Sequence, residues 1–157
     1  VLLLAAGCKP KPKEISSLQR KEAANLVSEA NFAVTLHDYA RAEPLLERAA
    51  KLCPDNGEYW MNLGITRRRQ GNNDGAKEAY RAALAAARDA IALKPEQSEP
   101  RLQEVYLLAL LGRADDARAA LAKSRRQLPN SGELRAFEEA HQLDRTLADP
   151  GFKQIAL

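Results

Sequence analysis

The sequence repeats itself at a spacing of 34 residues, and this spacing constrains the fold more than any other feature. Small residues and prolines recur at 34 or 41 residues, in the pairs Ala42 and Ala76, Pro95 and Pro129, Gly71 and Gly112, and Pro54 and Pro95. The two spacings differ by seven residues, so one repeat carries an insertion. Self-similarity at a period of about 20 to 50 residues indicates a stack of supersecondary units.

The composition indicates that these units are helical. Alanine supplies 29 of the 157 residues, whereas valine, isoleucine and threonine together supply 11. Sheets depend on β-branched and aromatic side chains, while helices tolerate Ala, Leu, Arg, Glu and Lys at little cost in entropy. We therefore predict an all-α protein in which leucine and alanine fill the contacts between helices.

Three blocks of sequence carry the repeat. The middle block is the most specific, with Trp60, Leu63-Gly64, Gly71, Ala76 and Tyr80 at regular positions. Together the blocks resemble the tetratricopeptide repeat (TPR), a helix–turn–helix unit of about 34 residues. The resemblance implies a right-handed α-solenoid of about three helix pairs with a C-terminal capping helix. The predicted repeat domain covers residues 17–147, with repeats at 23–56, 57–97 and 98–130 and the cap at 131–147.

Small residues of the pattern have physical roles in such a fold. Gly64 and Ala30 stand where the two helices of a repeat cross closely. Gly71 and Gly112 end first helices with a residue that accepts left-handed dihedral angles, and His37 takes that position in the first block. The prolines stop the second helices.

The seven-residue insertion falls between Ala76 and Pro95, a span without glycine or proline. Seven residues make close to two helical turns, so we predict that the second helix of the middle repeat, at 74–94, is longer than its counterparts. It either protrudes as a self-association surface or is covered by a shifted third repeat. We prefer the covered arrangement because bare apolar helix faces are rare.

The N-terminal residues read as the end of a secretory signal. The run Leu4-Ala5-Ala6-Gly7-Cys8 resembles the bacterial lipobox, with Ala5 where leucine is usual and without a basic region before it. The resemblance implies cleavage before Cys8 and lipid on its thiol, and residues 9–16 follow as an extended Lys/Pro linker. The alternative is an ordinary apolar N-terminus with a buried cysteine. Because Lys9 rather than aspartate follows, the outer membrane is favoured over the inner.

The C-terminal tail, residues 148–157, is unusually apolar for a free end, with Phe152, Ile155 and Leu157. It either folds back onto the cap or occupies a groove of its own chain or of a neighbour.

Residue patterns for catalysis are absent from the sequence. His37 and His141 have no partners at metal-binding spacing, and the chain has no Walker A, GxGxxG or GxSxG motif. We expect no metal and no cofactor, and interpret Cys53, beside the helix-ending Pro54, as structural. A net charge of +3 without basic patches next to aromatic clusters argues against nucleic-acid binding.

The family resemblance also implies a site. TPR proteins usually bind peptides on the concave face, formed by the first helix of each repeat. The corresponding positions here are Val27, Asn31, Val34, Glu58, Met61, Asn62, Ile65, Arg68, Arg69, Leu102, Tyr106 and Ala109. A subfamily that clamps a terminal carboxylate shares Asn31 and Asn62, but Val27, Glu99 and Gln103 replace its cations, which argues against that mode.

Two functions are expected from these features. The first is a non-catalytic adaptor, lipid-anchored in a bacterial envelope and facing the periplasm, that binds other envelope proteins or peptides in this groove. The second is a self-assembling structural element, a possible homodimer formed through the long helix 74–94 or the tail.

Overall fold

The computed structural model describes residues 14–157, and this range contains nine α-helices and no β-strand. In chain order they are α1 (Ser17–Thr35), α2 (Tyr39–Leu52), α3 (Gly57–Arg69), α4 (Asn73–Leu93), α5 (Glu99–Leu110), α6 (Ala114–Gln127), α7 (Gly132–Glu139), α8 (Gln142–Ala148) and α9 (Pro150–Ile155). The all-α prediction is confirmed. The predicted lipidation site Cys8 and most of the Lys/Pro linker lie outside the described residues.

The first six helices form three successive pairs. In each pair the two helices pack together, and α2 packs on α3 as α4 packs on α5. Each pair therefore contacts the next along the chain, which is the arrangement of a helical solenoid.

The turn inside each pair is closed by one residue with left-handed dihedral angles. These residues are His37 (φ 59°), Gly71 (φ 80°) and Gly112 (φ 71°). The residue after each of them donates a backbone hydrogen bond to the preceding helix. The donors are the amides of Asp38, Asn72 and Arg113, and each acceptor is the carbonyl oxygen five residues earlier, at 2.9 Å. The left-handed residue thus lets the chain reverse while the last carbonyls of the first helix keep their hydrogen bonds.

The two helices of the middle pair cross at Gly64. A Cβ atom at this position would lie 2.4 Å from Cε1 of Tyr80, whose ring is completely buried. The alanines at equivalent contacts, among them Ala30, Ala42 and Ala76, are also fully buried. The small residues of the pattern are therefore small because a neighbouring helix occupies the space.

Helix α4 has 21 residues, whereas α2 and α6 have 14 each, so the insertion lengthens this helix. Ala87 is buried, but Leu93 in the last turn is 82% exposed. The expectation that the third repeat covers the whole extension is wrong for this last turn, because the chain leaves α4 after Leu93 and returns to start α5 at Glu99.

The C-terminal region departs from the prediction of one capping helix. Residues 131–147 form two helices, α7 and α8, separated by Ala140 and His141, and His141 has a φ of 48°. The left-handed residue redirects the chain where an uninterrupted helix was expected. The segment Asp149-Pro150-Gly151 also starts a helix instead of only ending one: the Asp149 carboxylate accepts from the Phe152 amide at 2.7 Å, and Pro150 takes the first position of α9.

Candidate protein-binding groove

The twelve predicted groove residues all lie on the first helices of the three pairs, α1, α3 and α5. Asn31, Glu58 and Arg69 are exposed. Ala109 is only 2% exposed, because it belongs to the main apolar core, and its side chain offers no surface to a partner. The other eight are partly buried: Val27, Val34, Met61, Asn62, Ile65, Arg68, Leu102 and Tyr106.

The chain's own C-terminal end occupies part of this face. We call residues 149–157, which comprise α9 with its cap and the two residues after it, the tail. The Tyr80 hydroxyl donates to the Ile155 carbonyl oxygen at 2.7 Å, and Arg68 Nε donates to the Ala156 carbonyl oxygen at 2.9 Å. The Leu157 amide donates to the Leu110 carbonyl oxygen at 2.8 Å. Three hydrogen bonds thus fix the backbone of the tail.

Two apolar side chains of the tail enter the core. Phe152 is 6% exposed and Ile155 is 9% exposed, and both belong to the cluster that contains Tyr80 and Leu107. The Phe152 ring meets the Tyr106 ring edge-on, with centroids 5.4 Å apart. Complete burial of a phenylalanine or isoleucine side chain stabilises by about 1.5–3 kcal/mol.

Gly112 allows the close approach of the tail to the turn between α5 and α6. A Cβ atom there would lie 2.7 Å from the carbonyl oxygen of Leu157. Its positive φ already favours glycine, so two separate requirements meet at one residue. We define the tail site as Arg68, Tyr80, Tyr106, Leu110 and Gly112. The sequence allowed the tail to fold back onto the cap or to occupy a groove. The structure combines both arrangements, because α9 packs on α8 of the cap and on α3 of the groove.

The two predicted groove arginines separate in the structure. Arg68 faces the tail and also reaches Asn73 Oδ1 at 3.0 Å. Arg69 turns towards α2, where its guanidinium carbon lies 5.7 Å from the centroid of the Tyr39 ring. Arg68 and Arg69 therefore do not form one positively charged edge of the groove. Of the two, only Arg69 is exposed.

Burial raises the pKa of the Tyr80 phenol far above its ordinary value. The hydroxyl thus stays protonated at neutral pH and remains a donor to the Ile155 carbonyl oxygen. Burial also raises the pKa of the Tyr106 phenol, next to Phe152. The two tyrosines of the tail site are therefore neutral, and Arg68 is the charged residue of the site.

The rest of the predicted groove face is open, and a polar region lies where α1, α3 and α5 begin. A shallow pocket at the start of α3 is lined by Arg20, Asp55, Glu58, Glu99 and Gln103, among others. Arg20 is paired with Asp55 at 2.8 Å, which leaves Glu58 and Glu99 as acidic groups at the rim. This lining repels an incoming carboxylate and agrees with the argument against a carboxylate clamp.

The remaining candidate residues have structural roles. Cys53 is buried, its thiol lies 3.9 Å from the Gln19 carbonyl oxygen, and burial raises its pKa, which disfavours the reactive thiolate. Both histidines are left-handed turn residues. Within residues 14–157 no group of three or more His, Cys, Asp or Glu side chains is placed to hold a metal ion. No helix in this part of the chain is long and apolar enough to cross a membrane.

Paired helices stacked in sequence, with a groove on the first helix of each pair, define the class of helical-repeat scaffolds. The family model of the tetratricopeptide repeat matches residues 27–91, from the middle of α1 to the end of α4. The match covers part of the chain and supports the tetratricopeptide-repeat pattern that the sequence predicts, and repeats of this family generally mediate protein–protein interactions. A search of curated proteins gave no significant match.

The sequence indicates that the tail docks on the cap or in a groove, but it does not indicate which residues receive the tail. The repeat pattern alone accounts for Tyr80 and the turn alone accounts for Gly112, although each residue also contacts the tail. The apolar Phe152 and Ile155, three residues apart near the C-terminus, are the available signal for a docked helix.

Proposed function

We propose that the protein is a non-catalytic TPR adaptor that binds a segment of another envelope protein on its concave face. The observation that carries this proposal is the tail itself. Arg68 on α3 and Tyr80 on α4 donate to two backbone carbonyl groups of an apolar segment, and two side chains of this segment are buried. An amphipathic helix that lays its apolar face into a groove is a common mode of peptide recognition.

In the open half of the face, the tail does not compete with a partner for binding. Asn31, Glu58 and Arg69 are exposed there, and Asn62 is partly exposed. Amide side chains both donate and accept hydrogen bonds, so Asn31 and Asn62 suit the backbone of a bound segment.

Capture of partners from solubilised membranes tests the groove. We expect Arg69→Glu to reduce the recovery of specific partners, because it reverses the one exposed groove cation. Arg126→Glu is the matched control, since Arg126 is exposed on α6, outside the groove. Equal recovery with both variants contradicts the groove model.

We further propose that Cys8 carries lipid and holds the domain on the periplasmic face of a bacterial envelope membrane, with the outer membrane favoured. The apolar run, the small residues before Cys8 and the Lys/Pro residues after it support this. Several acyl chains anchor stably where one does not. Metabolic labelling with a fatty acid should mark the wild-type precursor and leave Cys8→Ala unlabelled. Absence of label on the wild type removes the anchor and leaves the groove proposal intact.

A second candidate function is self-assembly through the long helix α4. The exposed Leu93 supports it, together with an apolar groove formed by Ala86, Ala90 and Leu93 with Pro54 and Trp60. If this surface forms dimers, light scattering will show a dimer for the wild type and a monomer for Leu93→Glu. A wild-type monomer at high concentration excludes it.

A further inference from the structure

The tail has the features of a bound ligand that happens to be covalently attached. Its apolar side chains, Phe152 and Ile155, stand three residues apart on one face of α9. Lys153 and Gln154 between them are exposed, as are Pro150 and Gly151. The contacts of the tail are therefore confined to one side.

The tail is weakly held as a structure of its own. Helix α9 has six residues, and helices this short are not stable alone in water. It is ordered by its Asp149 cap, the two buried side chains and the hydrogen bonds from Tyr80 and Arg68. A short element with few anchors opens at a lower free energy than the core helices.

The residues that form the tail site belong to the repeats, although α8 also packs on α9. Arg68, Tyr80, Tyr106, Leu110 and Gly112 all belong to α3, α4, α5 and the turn after α5. These elements are positioned by the repeat packing, including the contact of Tyr80 with Gly64. When the tail leaves, the Tyr80 hydroxyl and Arg68 Nε lose their partners, and the apolar surface under Phe152 and Ile155 becomes accessible.

We propose that this site binds a segment of a partner protein with the chemistry of the tail, and that the tail occupies the site until such a segment displaces it. The segment carries an aromatic residue and an aliphatic residue three positions later on one helical turn, followed by extended residues. Its carbonyl oxygens accept from Tyr80 and Arg68. This inference rests on the proposed adaptor function and names the partner chemistry for the half of the groove near α5.

A fluorescent peptide of residues 149–157, amidated at its end, tests the proposal by fluorescence anisotropy on the full chain. The fraction of molecules with an empty site sets the apparent affinity. We therefore expect Phe152→Ala in the chain to bind the peptide at least about tenfold more tightly than the wild type, because the attached competitor is weakened. Lys153→Ala, an exposed change in the same helix, should bind as the wild type does.

A second chain variant guards against loss of folding. Asp149→Ala removes only the cap of α9 and should tighten peptide binding about fivefold, in the same direction. A peptide with alanine at both apolar positions should bind neither variant. Equal affinity for all chains, or no binding to any of them, overturns the proposal.

Light scattering on the same samples distinguishes a partner segment in the tail site from the tail of a second copy of this chain. We expect monomers for the wild type and for both variants. A dimer that dissociates when the peptide is added assigns the site to the tail of another copy and overturns the partner assignment. If peptide binding fails while Arg69→Glu still reduces partner capture, the adaptor function stands and only this inference is lost.

Discussion

The two halves of the predicted groove face are built from the same repeat but differ in their exposure to solvent. Towards α1, Asn31 and Glu58 lie in solvent, whereas near α5 the tail covers the face and buries Phe152 and Ile155. The difference arises from a short C-terminal segment distant in sequence rather than from the repeats themselves. In this protein, the segment that follows the repeats determines which part of the predicted groove is exposed, together with the residues that line it.

The cores beneath the two halves also differ. The first pair packs through small residues, such as Ala23, Ala30 and Ala33, in two separate clusters. The largest cluster lies under the tail and includes Leu107, Leu108 and Leu110 besides Phe152. Changes in the tail should therefore reach the main core, and equivalent changes on α1 should not.

Phe152→Ala should have the largest effect. Loss of a buried phenylalanine costs about 3–5 kcal/mol. Phe32→Ala is the matched control, because Phe32 is 60% exposed on α1 and its loss should change the free energy of unfolding by less than about 0.5 kcal/mol. Urea denaturation measures both. Similar costs for the two variants would show that the halves are not packed differently.

Gly64→Ala, at the junction of the halves, should cost about 2 kcal/mol. The added methyl group meets the buried Tyr80 ring, and overpacking of this kind costs about 1–3 kcal/mol. Gly132→Ala is the control, since a Cβ there has no neighbour within 4 Å and this residue has no positive φ. Thermal unfolding compares them. A neutral Gly64→Ala would mean that Tyr80 moves aside freely.

Tyr80→Phe should cost about 1 kcal/mol, because the Ile155 carbonyl oxygen loses its donor. The pH dependence sharpens this prediction. Burial raises the pKa of Tyr80 in the folded chain, while in the unfolded chain the pKa is about 10. The stabilisation is present below that pH and is lost as the pH rises above it. Tyr80→Phe should therefore lose less stability than the wild type as the pH rises from about 10 to about 11. Identical alkaline profiles would contradict this role.

Asn31→Ala should have the smallest effect on folding, below about 0.5 kcal/mol, because its side chain is exposed in the open half. The same variant should weaken partner capture in the membrane pull-down. Asn25→Ala, exposed on the same helix but outside the predicted groove, serves as its control. A large loss of stability for Asn31→Ala would show that the open half is part of the core.

The repeat itself is predictable because its constraints are local. Gly64, Gly71 and Ala76 are small because a neighbouring helix is close or because the turn needs a positive φ. These requirements recur in each repeat, so the spacing of 34 residues makes them visible in the sequence. The length of α4 is predictable from the absence of glycine and proline between Ala76 and Pro95.

The features that the sequence does not predict depend on residues far apart or on unusual backbone angles. The break at His141 uses a left-handed conformation, which is uncommon for residues other than glycine; histidine is enriched among the exceptions, so the local signal is weak. The engagement of Arg68 and Tyr106 by the tail joins positions whose relation becomes visible only once the pairs are stacked. The groove residues can be assigned to helices from the sequence, but which of them are free cannot.

The hydrogen bonds from Tyr80 and Arg68 connect residues 75 and 88 positions apart in the chain. Contacts in a solenoid otherwise join neighbouring repeats, so these bonds span a much larger sequence separation than the repeat contacts do. Helices α3, α4 and α5 precede the tail in the chain. The residues that form the tail site are therefore made before the segment that covers them, whether the chain folds during synthesis or after export.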